Sequence, residues 1–165
     1  MLFRTSLHFI ATALSAVAAS PAAHGRPHKL APGLYRINNH AAGTWARNTP
    51  GPGHQGPWRS MIIMTTDAIT GYQVWNISHY EEGYMIRNHG SGNLAFSTGH
   101  EGNLVEGFSD SLTKWYIEPA GGDSYKIQYP NRDLVWTLAN VDDFWKTVAL
   151  EPAQGTDSQL FQFTY

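Results

Sequence analysis

Three segments of the chain open with the same Tyr-x-Ile pattern: Tyr35-Arg36-Ile37-Asn38, Tyr84-Met85-Ile86-Arg87 and Tyr125-Lys126-Ile127-Gln128. Each alternates large apolar residues with polar or long ones, which is the two-residue period of a half-buried β-strand. The openings lie 49 and 41 residues apart. A recurrence at this spacing is typical of a protein built from structural repeats.

A second motif closes each repeat with an aromatic residue, one intervening residue, and an aliphatic or aromatic residue. It occurs as Trp75-Asn76-Ile77, Trp115-Tyr116-Ile117 and Phe161-Gln162-Phe163. Two short strand-like runs lie inside each repeat, separated by the Gly, Asn, Pro and Asp residues that turns require. These runs are 44–46, 61–64, 94–96, 104–105, 134–138 and 147–150.

Three repeats of four strands predict an all-β fold of twelve strands with pseudo-threefold symmetry, which is a β-trefoil. One repeat of this length cannot bury its own apolar face, so the three must close on one another. A propeller would need more blades than this length allows. A seven-stranded sandwich would not require the threefold match.

Composition excludes several classes of function. The 165 residues contain no cysteine, so disulfides, thiol catalysis, iron–sulfur clusters and cysteine-based zinc sites are ruled out. The net charge of −2 argues against a nucleic-acid partner, which would require a basic surface. Neither a metal-binding His-Glu-x-x-His nor a Gly-x-Ser-x-Gly nucleophile elbow occurs. We therefore expect a monomeric binding protein with no cofactor and no metal, and not an enzyme.

The N-terminus has the features of a secretory signal peptide. Arg4 precedes an apolar run over 7–19, which is too short to span a bilayer comfortably and ends in small residues. We predict a signal peptide over 1–19, a disordered leader over 20–31 and the trefoil domain over 32–165. The protein is thus expected to be extracellular, with no membrane association. Asn76-Ile77-Ser78 is then an acceptor sequence for N-glycosylation at Asn76.

The first repeat carries the longest insertion between its motifs. From Tyr35 to Trp75 is 40 residues, against 31 and 36 in the other two repeats, and the extra length falls in the Pro- and Gly-rich stretch 48–60. Long loops on rigid scaffolds commonly carry binding, and stiffness lowers the entropy lost when a partner is bound. The candidate binding residues are Arg47, Asn48, Pro57, Trp58, Arg59 and Ser60.

Several motifs resemble known families. Gln73-Val74-Trp75 resembles the Gln-x-Trp mark of ricin-B-type trefoils, and the third repeat, at 133–138, 148–152 and 159–163, is similar to the cospin-type fungal serine-protease inhibitors. The resemblance spans about residues 30 to 165. It implies substrate-like inhibition of a trypsin-like serine protease through the loop between the second and third strands of the first repeat.

A trypsin-like target requires a Lys or Arg that reaches the aspartate at the base of the specificity pocket. Arg59 is our first choice for this residue, because Pro57 stiffens the approach to it, and Arg47 is the second.

Two other functions remain open at this stage. A ricin-B-like lectin would use an aspartate, an aromatic platform and an amide, for which Asp133, Trp136 and Asn140 in the third repeat are the candidates. The alternative is that Asp133 caps a turn and Trp136 packs in the core. A secreted effector or defence protein could use the same scaffold against a target that is not a protease, because fold does not imply function.

Overall fold

The computed structural model describes residues 29–48, 59–140 and 146–165. These residues form thirteen β-strands and two short 3-10 turns, the latter at Gly71–Gln73 and Asp157–Gln159. No helix in these three ranges is long and apolar enough to cross a membrane. The strands are β1 (Gly33–Asn39), β2 (Thr44–Arg47), β3 (Ser60–Met61), β4 (Ile63–Thr65), β5 (Val74–Tyr80), β6 (Gly83–Asn88), β7 (Leu94–Phe96), β8 (Glu106–Phe108), β9 (Tyr116–Gly121), β10 (Ser124–Gln128), β11 (Leu134–Asn140), β12 (Lys146–Pro152) and β13 (Phe161–Thr164).

Six strands, the first and last of each repeat, close into an antiparallel barrel. β1 pairs with β5 and β13, β5 pairs with β6, and β10 pairs with β9 and β13. The ring is completed between β6 and β9 by an isolated bridge from Tyr84 to Trp115. The opening and closing motifs therefore lie side by side around one core, and closure leaves no free edge on these strands.

Three hairpins cover one end of the barrel: β2 with β4, β7 with β8, and β11 with β12. They meet in a ring of three backbone hydrogen bonds. Ile62 N–H donates to Val105 O (3.2 Å), Val105 N–H donates to Val148 O (2.8 Å), and Val148 N–H donates to Ile62 O (3.2 Å). All three residues are fully buried, so this ring satisfies backbone groups that would otherwise have no partner.

The β-trefoil prediction is confirmed, with two differences in the strands. The predicted third strand of the first repeat, 61–64, is divided at Ile62 into β3 and β4, so the structure has thirteen strands rather than twelve. In the second repeat the predicted strand 104–105 begins later, at Glu106, and Leu104 makes only an isolated bridge to Ala149. Both shifts arise because the backbone groups of Ile62 and Val105 bond within the threefold ring.

The closing aromatic residues fill the core, and two of them use their indole N–H in the same way. Trp75 Nε1 donates to Ala46 O (3.0 Å), and Trp115 Nε1 donates to Ala95 O (2.9 Å). In the third repeat the large and small core residues change places. Phe161 replaces the closing tryptophan, and the larger Trp136 lies on β11 where the other repeats have alanine. Among the residues that the structure describes, the exchange keeps one fully buried indole in each repeat, although Trp136 Nε1 has no hydrogen-bond partner.

The opening tyrosines secure the other end of the barrel. Tyr84 Oη donates to Leu30 O (2.8 Å), and Tyr35 Oη donates to Ala31 O (2.8 Å) and lies 3.1 Å from Tyr165 Oη. Leu30 is itself buried in the core cluster. Residues 30 and 31 differ from the predicted disordered leader, because the Leu30 side chain is buried and the carbonyls of Leu30 and Ala31 accept hydrogen bonds from the barrel.

We predict that replacing Tyr35 with Phe makes the fold less sensitive to alkali. Burial and the hydrogen bond to Tyr165 raise the pKa of Tyr35 to about 12 from its ordinary value of 10.0. As the pH rises, the unfolded chain therefore loses this proton before the folded chain does. The stability that Tyr35 contributes is complete below about pH 10 and declines from there until the pH has passed through about 12. The free energy of unfolding, measured with urea, should fall less between about pH 9 and pH 11 in Tyr35→Phe than in the wild type.

At the lower pH the same variant should be less stable by about 1 kcal/mol, because it loses the hydrogen bond to Ala31. Tyr80→Phe is the control, since Tyr80 is exposed at the end of β5. An equal alkaline loss in the wild type and in Tyr35→Phe would contradict this account.

Candidate functional site

The structure describes both ends of the long loop of the first repeat. Asn48 follows the last residue of β2, and Arg59 comes immediately before β3. Pro57 and Trp58, the other candidate residues of the loop, lie outside the described residues. The site is therefore built from Arg47, Asn48, Arg59 and Ser60 and from their neighbours.

Asn48 links the two ends of the loop through its side chain. Its Nδ2 donates to Ser60 Oγ (2.8 Å) and Ser60 O (3.1 Å), with a longer contact to Met61 O (3.4 Å). The backbone N–H of Asn48 donates to Tyr72 O (3.0 Å), which anchors the end of β2 to the turn before β5. Because Asn48 is fully buried, these bonds form away from competing water.

The oxygen of the same amide faces the second repeat. Ser91 Oγ donates to Asn48 Oδ1 (2.9 Å), and Asn93 Nδ2 lies 3.2 Å from the same oxygen and 3.3 Å from Ser60 Oγ. Gly107 on β8 lies against the amide, and a Cβ at this position would come within 2.2 Å of Asn48. We call Asn48, Ser60, Ser91, Asn93 and Gly107 the amide cluster.

Arg59 lies across the outer surface of the second repeat. Its guanidinium is 5.5 Å from the ring centre of Phe96, 5.3 Å from that of Phe108, and 3.6 Å from Glu106 Oε2. About half of the side chain is exposed (52%). Exposed cation–π contacts and surface ion pairs are each worth no more than about 1 kcal/mol, so the side chain can leave this position at small cost.

Arg47 is held more firmly. Its Nη1 donates to Asp67 Oδ2 at 2.6 Å, and only 23% of the side chain is exposed. Arg47 also belongs to β2 and pairs with Ile63 of β4 in the sheet. Of the two candidate arginines, Arg59 is the more accessible and the less tightly bound.

Comparison with known proteins assigns the chain to a family. Residues 28–165 match the family model described as peptidase inhibitor I66. The chain belongs to the peptidase inhibitor I66 family. A search of curated proteins gives no match. Membership of an inhibitor family indicates a binding protein rather than an enzyme and confirms the inhibitor resemblance seen in the third repeat.

Solved structures similar to this I66 chain are β-trefoils. They include a proteinase inhibitor from Coprinopsis cinerea (15% identity, TM-score 0.62, covering 82% of this chain and 98% of that one). A Macrolepiota procera ricin B-like lectin in complex with lactose aligns at 20% identity and TM-score 0.66, covering 79% and 94%. A designed threefold-symmetric protein, ThreeFoil, aligns at 16% identity and TM-score 0.66, covering 80% and 98%. At these identities the likeness shows the fold alone.

The structure does not offer Trp136 as the aromatic platform of the candidate sugar site in the third repeat. Trp136 is fully buried, with edge-to-face contacts to Trp115 and Phe161, so its ring has no surface on which a sugar could stack. Asp133 is exposed in the turn before β11, and Asn140 ends β11. Trp136 instead fills the core space that alanines leave open in the other repeats, which agrees with the alternative of a core tryptophan.

Asp133 lies instead at an open recess lined also by Tyr116, Glu118 and Gln128. Tyr116 and Gln128 are direct cross-strand neighbours on β9 and β10, a relation set by the sheet register. In the described part of this I66 chain, no group of His, Asp and Glu could hold a metal ion.

We predict that Asn76 of the I66 chain carries an N-linked glycan when the protein passes through a eukaryotic secretory pathway. Asn76 is exposed on β5, beside Leu34 of β1 and Arg87 of β6, so a glycan would project from the barrel without entering the core. Intact-mass measurement should show one glycan that peptide N-glycosidase removes, and the Asn76→Gln variant should lack it. A wild-type mass that differs from that of Asn76→Gln only by the one methylene group of the substitution would contradict the prediction.

Proposed function

We propose that this protein inhibits a trypsin-like serine protease by presenting the 48–60 segment to the active site, with Arg59 as the residue that enters the specificity pocket. The proposal narrows the peptidase inhibition implied by the family match. The proposal takes residues 1–19 as a secretory signal, so that the inhibitor acts outside the cell. It also takes the inhibitor to be a monomer.

The observation that carries this proposal is the combination of a loosely held Arg59 with a firmly held Ser60. The Arg59 side chain is half-exposed and has only surface contacts. The next residue, Ser60, is bonded through Oγ and O to the buried amide of Asn48 and pairs with Gly107 in the sheet. An accessible basic side chain on a restrained backbone is what a substrate-like inhibitor must offer, because restraint lowers the ordering entropy lost on binding.

Recognition would depend on charge and desolvation. The guanidinium would leave Glu106 and the two phenylalanine rings and pair with the aspartate at the base of the protease pocket. A hydrogen-bonded ion pair excluded from water is stronger than the exposed contact that it replaces. Asp67 opposes the same move for Arg47, because their close ion pair would have to break.

We predict that Arg59→Ala weakens inhibition of trypsin by about a hundredfold or more, because a central arginine that fills a desolvated pocket is typically a hot spot. Arg59→Lys should retain most of the inhibition, since a lysine also reaches the pocket aspartate. Arg47→Ala is the matched control and should change the inhibition constant little. The measurement is a titration of trypsin with each purified variant.

Two results would contradict the proposal. Unchanged inhibition by Arg59→Ala would assign the specificity residue elsewhere. Inhibition of chymotrypsin or subtilisin without inhibition of trypsin would keep the inhibitor class but exclude arginine as the determinant. Circular dichroism and thermal unfolding of each variant should accompany the titrations, so that a loss of fold is not counted as a loss of contact.

We do not advance the lectin as a second function. The solved lectin complex named above binds lactose, but its 20% identity with this chain shows only a shared fold. The residue expected to act as the sugar platform, Trp136, is buried in the core.

A further inference from the structure

We infer that Asn48 is the positioning residue of the inhibitory segment and that the second repeat holds Asn48 in place. Through this amide, residues outside the loop would set how rigidly the Arg59–Ser60 bond is presented. The inference rests on the proposed function and extends it, because the residues concerned do not touch the protease: they act on Ser60 through Asn48.

The first support is that the amide is used on both sides. Its nitrogen has three acceptors within reach on Ser60 and Met61, and its oxygen receives Ser91 Oγ and Asn93 Nδ2. A fully buried amide that lost these bonds would leave donors and an acceptor without partners, which is costly. The loop exit can therefore move away only if the bonds from the amide nitrogen to Ser60 break, and the bonds to the amide oxygen keep that nitrogen in place.

The second support comes from the pseudo-threefold symmetry. Gly107 pairs with Ala95, as Met64 pairs with Ala46 and Leu150 with Trp136. Two repeats thus place a large buried side chain at this position, and the second repeat places none. The Asn48 amide lies in that space, within 2.2 Å of where a Cβ of Gly107 would be.

The third support is that another buried asparagine, Asn39, forms a similar set of bonds away from the loop ends. Asn39 is equally buried: its Oδ1 accepts the N–H groups of Ala41 and Ala42, and its Nδ2 donates to Ser158 O and Leu160 O. It makes a comparable number of bonds without contacting the loop ends. Asn39 is therefore a matched control for a buried asparagine whose loss affects stability alone.

The test compares Asn48→Ala with Asn39→Ala by two measurements that do not depend on inhibition. One is hydrogen exchange at the backbone amides of 59–61, and the other is the rate at which excess trypsin hydrolyses the Arg59–Ser60 bond, followed by mass spectrometry. We expect both rates to rise about tenfold or more in Asn48→Ala relative to the wild type, because local opening no longer has to break the amide's bonds. Asn39→Ala should leave both rates near wild type at temperatures where it is folded.

Two further variants keep the test decisive if Asn48→Ala does not fold. Asn93→Ala removes one partner of the amide, and Gly107→Ala forces a Cβ against it. Both leave Asn48 itself in the chain, and both should raise exchange at 59–61. If Asn48→Ala, Asn93→Ala and Gly107→Ala all exchange and are cut no faster than Asn39→Ala, the inference is overturned.

The inhibition constant separates this inference from the proposed function. Weaker inhibition by Asn48→Ala but not by Asn39→Ala, together with faster exchange, supports both. Faster exchange in a protein whose wild type inhibits no protease supports the positioning role of Asn48 and overturns the proposed function. Weaker inhibition by Asn48→Ala without faster exchange or cutting overturns the positioning role.

Discussion

The ring of backbone hydrogen bonds among Ile62, Val105 and Val148 is the constraint around which the rest of this fold is arranged. Each of these residues gives its N–H to one repeat and its carbonyl to another, so no repeat can complete its backbone pairing alone. The three hairpins must therefore meet at one end of the barrel. A threefold architecture follows from satisfying buried backbone groups, with the aromatic core filling the space beneath.

The ring also determines where the candidate inhibitory segment leaves the scaffold. At Ile62 the third strand of the first repeat turns from one neighbour to another: β3 pairs with β8 of the second repeat, and β4 pairs with β2 and β12. The loop thus ends on a strand that belongs, by its pairing, to a different repeat. This explains why polar groups of the second repeat surround the loop exit and why Arg59 rests on phenylalanines of β7 and β8.

The three repeats share one backbone plan but differ in how they fill it. Trp75 and Trp115 pack with alanines, whereas Phe161 packs with Trp136, so the core keeps its bulk while the indole changes strand. Gly107 is the second difference among the repeats. The other two repeats have a large side chain at this position, and here the amide of Asn48 from the first repeat occupies the space. The first exchange preserves packing, and the second connects the loop to the scaffold. The candidate site of this protein thus lies where one repeat differs from the other two.

Local patterns were sufficient to predict the strands that open and close each repeat, the trefoil and the family, because alternation and aromatic spacing are properties of neighbouring residues. They also located the insertion at 48–60 and the arginines beside it. They placed Leu30 in the leader and left Trp136 open between a sugar platform and the core, because each is buried by residues distant in the chain.

The amide cluster was beyond any local pattern, since Asn48 meets Ser91 and Asn93 across 43 and 45 residues. The sequence by itself determined the repeat, its strands and the loop. Only the tertiary structure decided which side chains hold that loop, because those contacts exist only once the repeats have closed around the threefold ring.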